Sequence, residues 1–200
     1  MILSILIYNF VIQSTTVRLF EQGLEIIEVS DNGVGVPAES RPLLATAHAT
    51  SKLNNLQELY DGETEPLRSL GFRGEALFSL ANLCQNLIVL TRTAAEPLAQ
   101  KLEFNTDGSW KADRVQFSPR KVGTTVAAVR LLASIPVRRA DLERRLPAQR
   151  KRMMRLMQGY AIFSTGIQMR LLEYSSNNTS NNKGQQESVL LETPAGTTSL

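Results

Sequence analysis

Four short motifs hold the residues that could do chemistry in this 200-residue chain. The first is Asp31-Asn32-Gly33-Val34-Gly35, which directly follows the β-rich run Leu24–Val29. A carboxylate at the end of a strand can accept a hydrogen bond from an exocyclic amine such as that of adenine, and the two glycines, Gly33 and Gly35, let a flat ring approach the backbone. By itself the motif favours a plain turn, because Asp-Asn-Gly is a common turn sequence.

The second motif is Gly71-Phe72-Arg73-Gly74-Glu75-Ala76-Leu77, which precedes an apolar pattern at helical spacing. Glycines before a helix free backbone amides, and the helix N-terminus favours an anion such as a phosphate. Arg73 adds a positive charge. A simple loop-to-helix junction, with Glu75 placed favourably against the helix dipole, explains the motif equally well, since no Lys-Ser or Lys-Thr pair follows as in a P-loop.

The remaining two motifs have little specificity on their own. Thr50, Ser51 and Lys52 place two hydroxyls beside an amine, a set that could contact phosphates. Gly123-Thr124-Thr125-Val126 is equally plausible as the opening of an ordinary strand.

The elements that must position these motifs alternate irregularly along the chain. Predicted strands lie at 16–20, 24–29, 87–93, 99–104, 108–113, 123–129, 166–174 and 188–192. Helices are predicted at 42–49, 75–83 and 139–160, the last broken or restarted at Pro147. The polar residues 175–187 are predicted to form a loop. Short connections between neighbouring strands favour an α+β layered domain over a doubly wound parallel sheet.

Composition excludes several classes of protein. With 42% hydrophobic and 20% charged residues, the chain is neither a disordered tail nor a fibrous repeat. One cysteine, Cys84, and one histidine, His48, argue against a disulfide scaffold and against a cysteine or histidine zinc site. The apolar start of the chain, Met1–Ile12, is too short to span a bilayer.

Positive charge is concentrated in one segment. The net charge of the whole chain is +3, whereas Arg138–Arg155 contains eight basic and two acidic residues. Such a segment can attract a polyanion, although a solvated helix face explains it as well. The candidate nucleic-acid contacts are Arg138, Arg139, Arg144, Arg145, Arg150, Lys151 and Arg152.

Taken together, in this order and at these spacings, the motifs resemble the MutL family of DNA mismatch-repair ATPases. The most specific block is Gly71–Leu77, supported by Asp31–Val36 and by His48–Lys52. The resemblance covers Thr16–Tyr174 and is closer to the eukaryotic postmeiotic-segregation branch of the family. It implies a GHKL-type ATPase fold, a two-layer sandwich with a mixed, largely antiparallel sheet and helices on one face.

The resemblance also implies which residues bind ATP and Mg²⁺. Asp31 would hold the adenine amino group, with Gly33 and Gly35 close to the ring and the Thr125 hydroxyl near the base. Thr50, Ser51 and Lys52 would lie toward the sugar and phosphates. The lid around the triphosphate would be formed by Gly71, Phe72, Arg73, Gly74, Glu75, Ala76 and Leu77.

The chain departs from the family before Thr16. A Glu-x-x-x-Asn motif, whose glutamate activates water and whose asparagine helps to hold Mg²⁺, falls on Ile2 and Leu6 when counted back from Asp31. We therefore expect weak nucleotide binding, negligible hydrolysis and an incomplete Mg²⁺ site. A wrongly assigned first exon and a non-catalytic paralogue both explain the departure.

The resemblance predicts four segments. These are an atypical apolar N-terminus (1–15), the ATP-binding domain (16–174), the polar loop (175–187), and a last strand with a truncated C-terminal end (188–200). A second domain, with a lysine for the γ-phosphate and a DNA-binding groove, is expected to lie beyond this chain, as is any C-terminal endonuclease.

The expected setting is a nuclear heterodimer with a MutL-homologue-1-type partner. It would act on DNA with a MutS-type mismatch-recognition complex and would not contact a membrane. The rival hypothesis is a non-enzymatic DNA-binding module that uses Arg138–Arg155. A chaperone or kinase of the same ATPase superfamily is a further alternative, against which the Gly71–Leu77 motif argues.

Overall fold

The computed structural model describes residues 12–49, 75–164, 166–179 and 182–194. These residues form an α+β fold in which one mixed sheet of eight strands is covered by helices on one face. The strands are β1 Ser14–Phe20, β2 Ile26–Asp31, β3 Cys84–Arg92, β4 Ala99–Phe104, β5 Gln116–Ser118, β6 Gly123–Leu131, β7 Gln168–Thr179 and β8 Asn182–Glu192. The α-helices of the described part are α1 Ala76–Leu83, α2 Pro136–Arg144 and α3 Leu146–Phe163.

Strand order across the sheet is β5-β4-β3-β6-β2-β1-β7-β8. All neighbours pair antiparallel except β1 and β7, which run parallel. A parallel pair requires a long crossover, and here α2 and α3 lie in the chain between β6 and β7. The predicted two-layer arrangement with a mixed, largely antiparallel sheet is confirmed.

Alternation along the strands separates a core face from a polar face. In β1, Val17 and Leu19 are buried, while Arg18 between them is partly exposed and pairs with Glu28 of β2 at 2.6 Å. A period of two places these sets on opposite faces of the sheet. Helix α3 contributes the fully buried Met157 to the core.

The break predicted at Pro147 is confirmed. Helix α2 ends at Arg144 and α3 begins at Leu146, so that Pro147 lies in the first turn of the new helix. Proline is tolerated there because the first amides of a helix have no intrahelical acceptor.

Three local predictions were wrong. The described residues of the predicted loop, 175–179 and 182–187, are strand instead, because β7 and β8 pair through them and bring Ser175 opposite Gln186. Ladder hydrogen bonds do not depend on side chains, so a polar sequence can carry the strands away from the core. A 3₁₀-helix at Ala38–Leu43 replaces the helix predicted over 42–49. In place of a strand at 108–113 there is an isolated bridge from Phe104 to Trp110 and a 3₁₀ turn.

Within the described residues, none of the helices is both long and apolar enough to cross a membrane.

Candidate functional site

Asp31 ends β2 with its side chain on the core face, where it is 7% exposed. Its Oδ1 accepts hydrogen bonds from the backbone amide of Gly33 at 2.8 Å and from that of Thr124 at 3.2 Å. Both bonds end on Oδ1, so these amides fix the carboxylate without engaging Oδ2. Burial raises the pKa of the Asp31 carboxyl above its usual value, and the two amide bonds offset part of that shift.

The loop after Asp31 lies against the end of β3. Gly35 has φ +80°, and a Cβ at this position would lie 2.2 Å from the carbonyl oxygen of Arg92. At Gly33 a Cβ would lie 3.0 Å from Asp31 Oδ1. The chain therefore needs glycine at position 35 for both its conformation and its close backbone contact. The structure brings the three residues of the first motif together.

The hydroxyl on the Asp31 face belongs to Thr124 rather than Thr125. Ser30 pairs with Thr125 across β2 and β6, and their hydroxyls lie 2.9 Å apart on the polar face of the sheet. Side chains alternate along a strand, so Thr124 points to the core face, where its hydroxyl is 3.1 Å from that of Thr91. Thr125 therefore lies on the face of the sheet opposite the Asp31 side chain, and its contact with the base stays a prediction.

Arg120 links β2 and β6 on the polar face of the sheet, at the end of β2 that carries Asp31. Its Nη2 donates to the hydroxyl of Thr125 at 2.8 Å and to the backbone carbonyl of Asp31 at 3.1 Å. Burial lowers the pKa of Arg120, and the nearby Asp31 charge opposes that shift. This contact supports the backbone that carries the candidate carboxylate.

Two predicted segments fall largely outside the described residues. Thr50, Ser51, Lys52, Gly71, Phe72, Arg73 and Gly74 are among the residues that the structure does not describe. Glu75 immediately precedes α1, and its Oε1 lies 3.6 Å from Nδ1 of His48. Ala76 and Leu77 form the first turn of α1, and Leu77 packs against the core. The ends at His48 and Glu75 therefore meet at the same side of the domain.

The basic residues of α2 and α3 fall into two groups. In the first, Arg139 is 16% exposed and donates to the carbonyl oxygens of Leu24 and Leu131, so it joins α2 to the sheet. Ion pairs also engage Arg145 with Asp141 at 3.0 Å and Arg150 with Glu173 at 3.0 Å. The second group is exposed and forms no ion pair with the described residues: Arg138, Arg144, Lys151, Arg152 and Arg155.

Three polar residues near the Asp31 loop escaped the sequence analysis. Thr91 and Arg41 are buried, and Thr124 was named only as part of a strand motif. The period of two along β6 would have separated Thr124 from Thr125 once the pairing with β2 was known. No local pattern marks Arg41 or Thr91, whose partners are distant in the sequence.

Curated relatives match most of this sequence. It is 39% identical over 153 residues to the mismatch repair endonuclease pms1 of Dictyostelium discoideum. It is 34% identical over 180 residues to the DNA mismatch repair protein PMS1 of Arabidopsis thaliana, and 35% identical over 152 residues to the mismatch repair endonuclease PMS2 of Homo sapiens. The alignments cover 76–90% of this chain but only 14–18% of these relatives. No family model matches the chain.

Solved structures share the fold. A crystal structure described as the N terminal domain of a DNA repair protein superposes with a TM-score of 0.71 at 31% identity, covering 93% of this chain and 49% of that one. The Aquifex aeolicus MutL ATPase domain complexed with ADP superposes with a TM-score of 0.59 at 16% identity, covering 93% and 57%.

The fold is thus the α+β fold of MutL ATPase domains. This chain belongs to the MutL family of DNA mismatch-repair proteins and corresponds to the N-terminal ATPase domain. The expectation drawn from the motifs is confirmed at that level.

Proposed function

We propose that this domain binds ATP and acts as the nucleotide-controlled switch of a MutL-type mismatch-repair protein. The observation that carries the proposal is the buried Asp31 carboxylate, held by the amides of Gly33 and Thr124 through a single oxygen. An acceptor fixed in this way at a strand end suits the exocyclic amine of adenine, because no reorganisation is needed when the base binds.

The described residues fit the base end of a nucleotide. Gly33 and Gly35 shape the loop that holds Asp31, with Gly35 packed against the backbone of Arg92, and the Thr124 hydroxyl lies on the same face as the carboxylate. Thr50, Ser51, Lys52 and the segment Gly71–Leu77 are proposed to contact the sugar and phosphates. When bound, ATP supplies the triphosphate charge that such a loop and helix N-terminus can hold.

Hydrolysis is proposed to be negligible. The positions that the family uses for the general base and for Mg²⁺ fall on Ile2 and Leu6, whose side chains can neither accept a proton nor bind a cation. General-base catalysis contributes about 10²–10⁴-fold to a rate. No cluster of His, Cys, Asp or Glu that could hold a metal occurs in the described ranges. The side chains of Ile2 and Leu6 do not fit Mg²⁺, and no step through that ion is proposed.

Calorimetric titration of the purified chain with ATP, followed by a phosphate-release assay, tests both parts. We expect saturable heat with ATP and no phosphate release above background. Asp31→Ala should abolish the heat, whereas Arg18→Met, which removes an ion pair on the polar face, should leave it unchanged. Absence of heat with the folded wild-type chain would refute ATP binding, and release above background would refute the loss of turnover.

The proposed partner is a MutL-homologue-1-type subunit, with which the domain would form a nuclear heterodimer that works with a MutS-type complex on DNA. Support comes from the names of its relatives, which are mismatch repair proteins of eukaryotes. Co-purification with such a subunit, with and without ATP, tests the pairing. Failure to co-purify in both conditions would count against it.

Direct DNA binding by this domain is a second candidate function. It is favoured by the five exposed cations of α2 and α3 that form no ion pair with a described residue: Arg138, Arg144, Lys151, Arg152 and Arg155. Counterion release would make the affinity fall with salt in proportion to the number of phosphates contacted. DNA affinity that is strongly salt-dependent and indifferent to ATP would support this candidate. No measurable affinity at low salt would exclude it.

A further inference from the structure

Arg41 is a buried cation beside the Asp31 loop. Its side chain is 4% exposed, and its guanidinium donates in three directions. Nε donates to the carbonyl oxygen of Val36 at 3.0 Å, Nη1 to Gln100 Oε1 at 2.8 Å and Nη2 to Glu96 Oε2 at 2.5 Å. A buried charge needs such partners, and the planar fork of arginine fixes their mutual geometry.

Through Val36, Arg41 acts on the loop that follows Asp31. The amide of Val36 donates to the Thr91 hydroxyl at 2.8 Å, while its carbonyl accepts from Arg41. Thr91 is itself buried against Thr124. Val36 is therefore held through its amide by Thr91 of β3 and through its carbonyl by Arg41.

The other end of the same loop is held at Asp31. The carboxylate binds the amide of Gly33, and Gly35 lies in contact with the backbone of Arg92. Because both ends of this short loop are fixed, a shift of Val36 displaces the two glycines. That displacement changes the orientation of the Asp31 carboxylate. Arg41 contacts neither Asp31 nor the glycines, so it can act only as a positioning residue.

Glu96, the acidic partner of Arg41, is also held by several hydrogen bonds. Glu96 Oε2 accepts from the amide and the hydroxyl of Thr93 at 3.0 and 2.8 Å in addition to Arg41. These hydrogen bonds, that from Arg41 above all, lower the pKa of Glu96 to about 2. The carboxylate thus stays ionised at neutral pH and holds the arginine in place.

We propose that Arg41 is a specificity-determining residue, which sets the loop Gly33–Val36 so that Asp31 distinguishes adenine from guanine. Adenine presents an amine to the carboxylate, whereas guanine presents a carbonyl oxygen that the carboxylate repels. The phosphate contacts are assigned to other segments, so a displaced loop loses base discrimination rather than affinity for the triphosphate. This inference rests on the proposed ATP binding.

The test is the ratio of dissociation constants for ATP and GTP, measured by calorimetry on the full 200-residue chain and on Arg41→Met. We expect the preference for ATP to fall about tenfold in the variant, as for one lost hydrogen bond. Arg18→Met is the matched control, because it breaks the Arg18–Glu28 pair at 2.6 Å on the polar face. It should leave the ratio unchanged.

Two milder variants keep the test valid if Arg41→Met does not fold. Arg41→Lys retains the charge but cannot reach all three acceptors at once, and Glu96→Gln retains a hydrogen-bond acceptor but loses the charge. Both should lower the ratio by less than the methionine variant. The inference would be overturned if the ratio of the ATP and GTP dissociation constants stayed unchanged in every folded variant, including the case in which ATP and GTP both bind more weakly by the same factor. A wild-type chain that binds neither nucleotide refutes the proposed function instead.

Discussion

At the Asp31 site a carboxylate is buried and fixed by backbone amides, whereas on α2 and α3 most of the cations point into solvent. Asp31 is 7% exposed, and its side chain accepts hydrogen bonds from one amide of β6 and one amide of the following loop. Lys151 and Arg152 are exposed on one helix and pair with no described residue. Both regions were predicted to bind an anionic ligand, but the candidate group is buried and fixed in the first region and exposed to solvent in the second.

The difference lies in the cost of each arrangement. Burial of Asp31 is opposed by desolvation, as its raised pKa shows, so a fixed carboxylate at this position gives geometric selectivity at the expense of stability. Exposed arginines cost little and select little, since solvent and salt screen them. A small ligand is therefore the better match for the first region, and a polyanion of no fixed sequence for the second.

The largest effect on the free energy of unfolding is expected at Gly35, which packs against the backbone of Arg92. Gly35→Ala would place a Cβ 2.2 Å from the Arg92 carbonyl at a φ of +80°, and should lower the free energy of unfolding by roughly 3 kcal/mol. Gly159→Ala is the control, because a Cβ at that position of α3 meets nothing within 4 Å. It should raise stability by about 1 kcal/mol. Urea titration of both variants measures the contrast, and equal effects would contradict the tight loop.

Asp31→Asn separates the function of the carboxylate from its cost. With the amide oxygen facing Gly33 and Thr124, the amide NH₂ would meet the adenine amine, so ATP affinity should fall about a hundredfold, or roughly 2.7 kcal/mol.

Stability should change in the opposite direction at neutral pH. Because the folded pKa of Asp31 is raised, the wild type binds more protons folded than unfolded, and its stability falls as pH rises through that interval. The advantage of Asp31→Asn should therefore grow from the ordinary aspartate pKa upward and level off above the raised one. Unfolding curves between pH 3 and pH 8 measure this, and a constant difference would contradict it.

Two buried threonines provide a smaller test of polar burial near the site. Thr91→Val leaves the Val36 amide without its acceptor and should cost about 2 kcal/mol. Thr15→Val removes a buried hydroxyl that has no partner in the described part of the chain, and should stabilise by up to about 1 kcal/mol. Thermal unfolding compares them. The same sign for both would show that hydrogen bonding does not decide their effects.

The smallest effect on folding is expected on the helices. Arg144→Gln should change the free energy of unfolding by less than about 0.5 kcal/mol, whereas Arg139→Gln should cost more because Arg139 joins α2 to the sheet. If DNA binds here, Arg144→Gln should also reduce the slope of log affinity against log salt by about 1. An unchanged slope would place the DNA contact elsewhere.

Much of this protein was determined by local sequence. Strand β2 and the motif after it predict a carboxylate at a strand end, and Pro147 predicts the restart of a helix. Both follow from alternation and backbone chemistry within a few neighbouring residues.

Tertiary structure decided the rest. The pairing of β6 with β2 fixed which threonine faces Asp31, and ladder pairing made strands of the polar residues 175–179 and 182–187. Partners 55 and 59 residues away in the sequence bind the buried Arg41. Whether a polar side chain is a surface group or a fixed part of a site depends on what the fold packs against it, and contacts between distant segments leave no periodic trace along the chain.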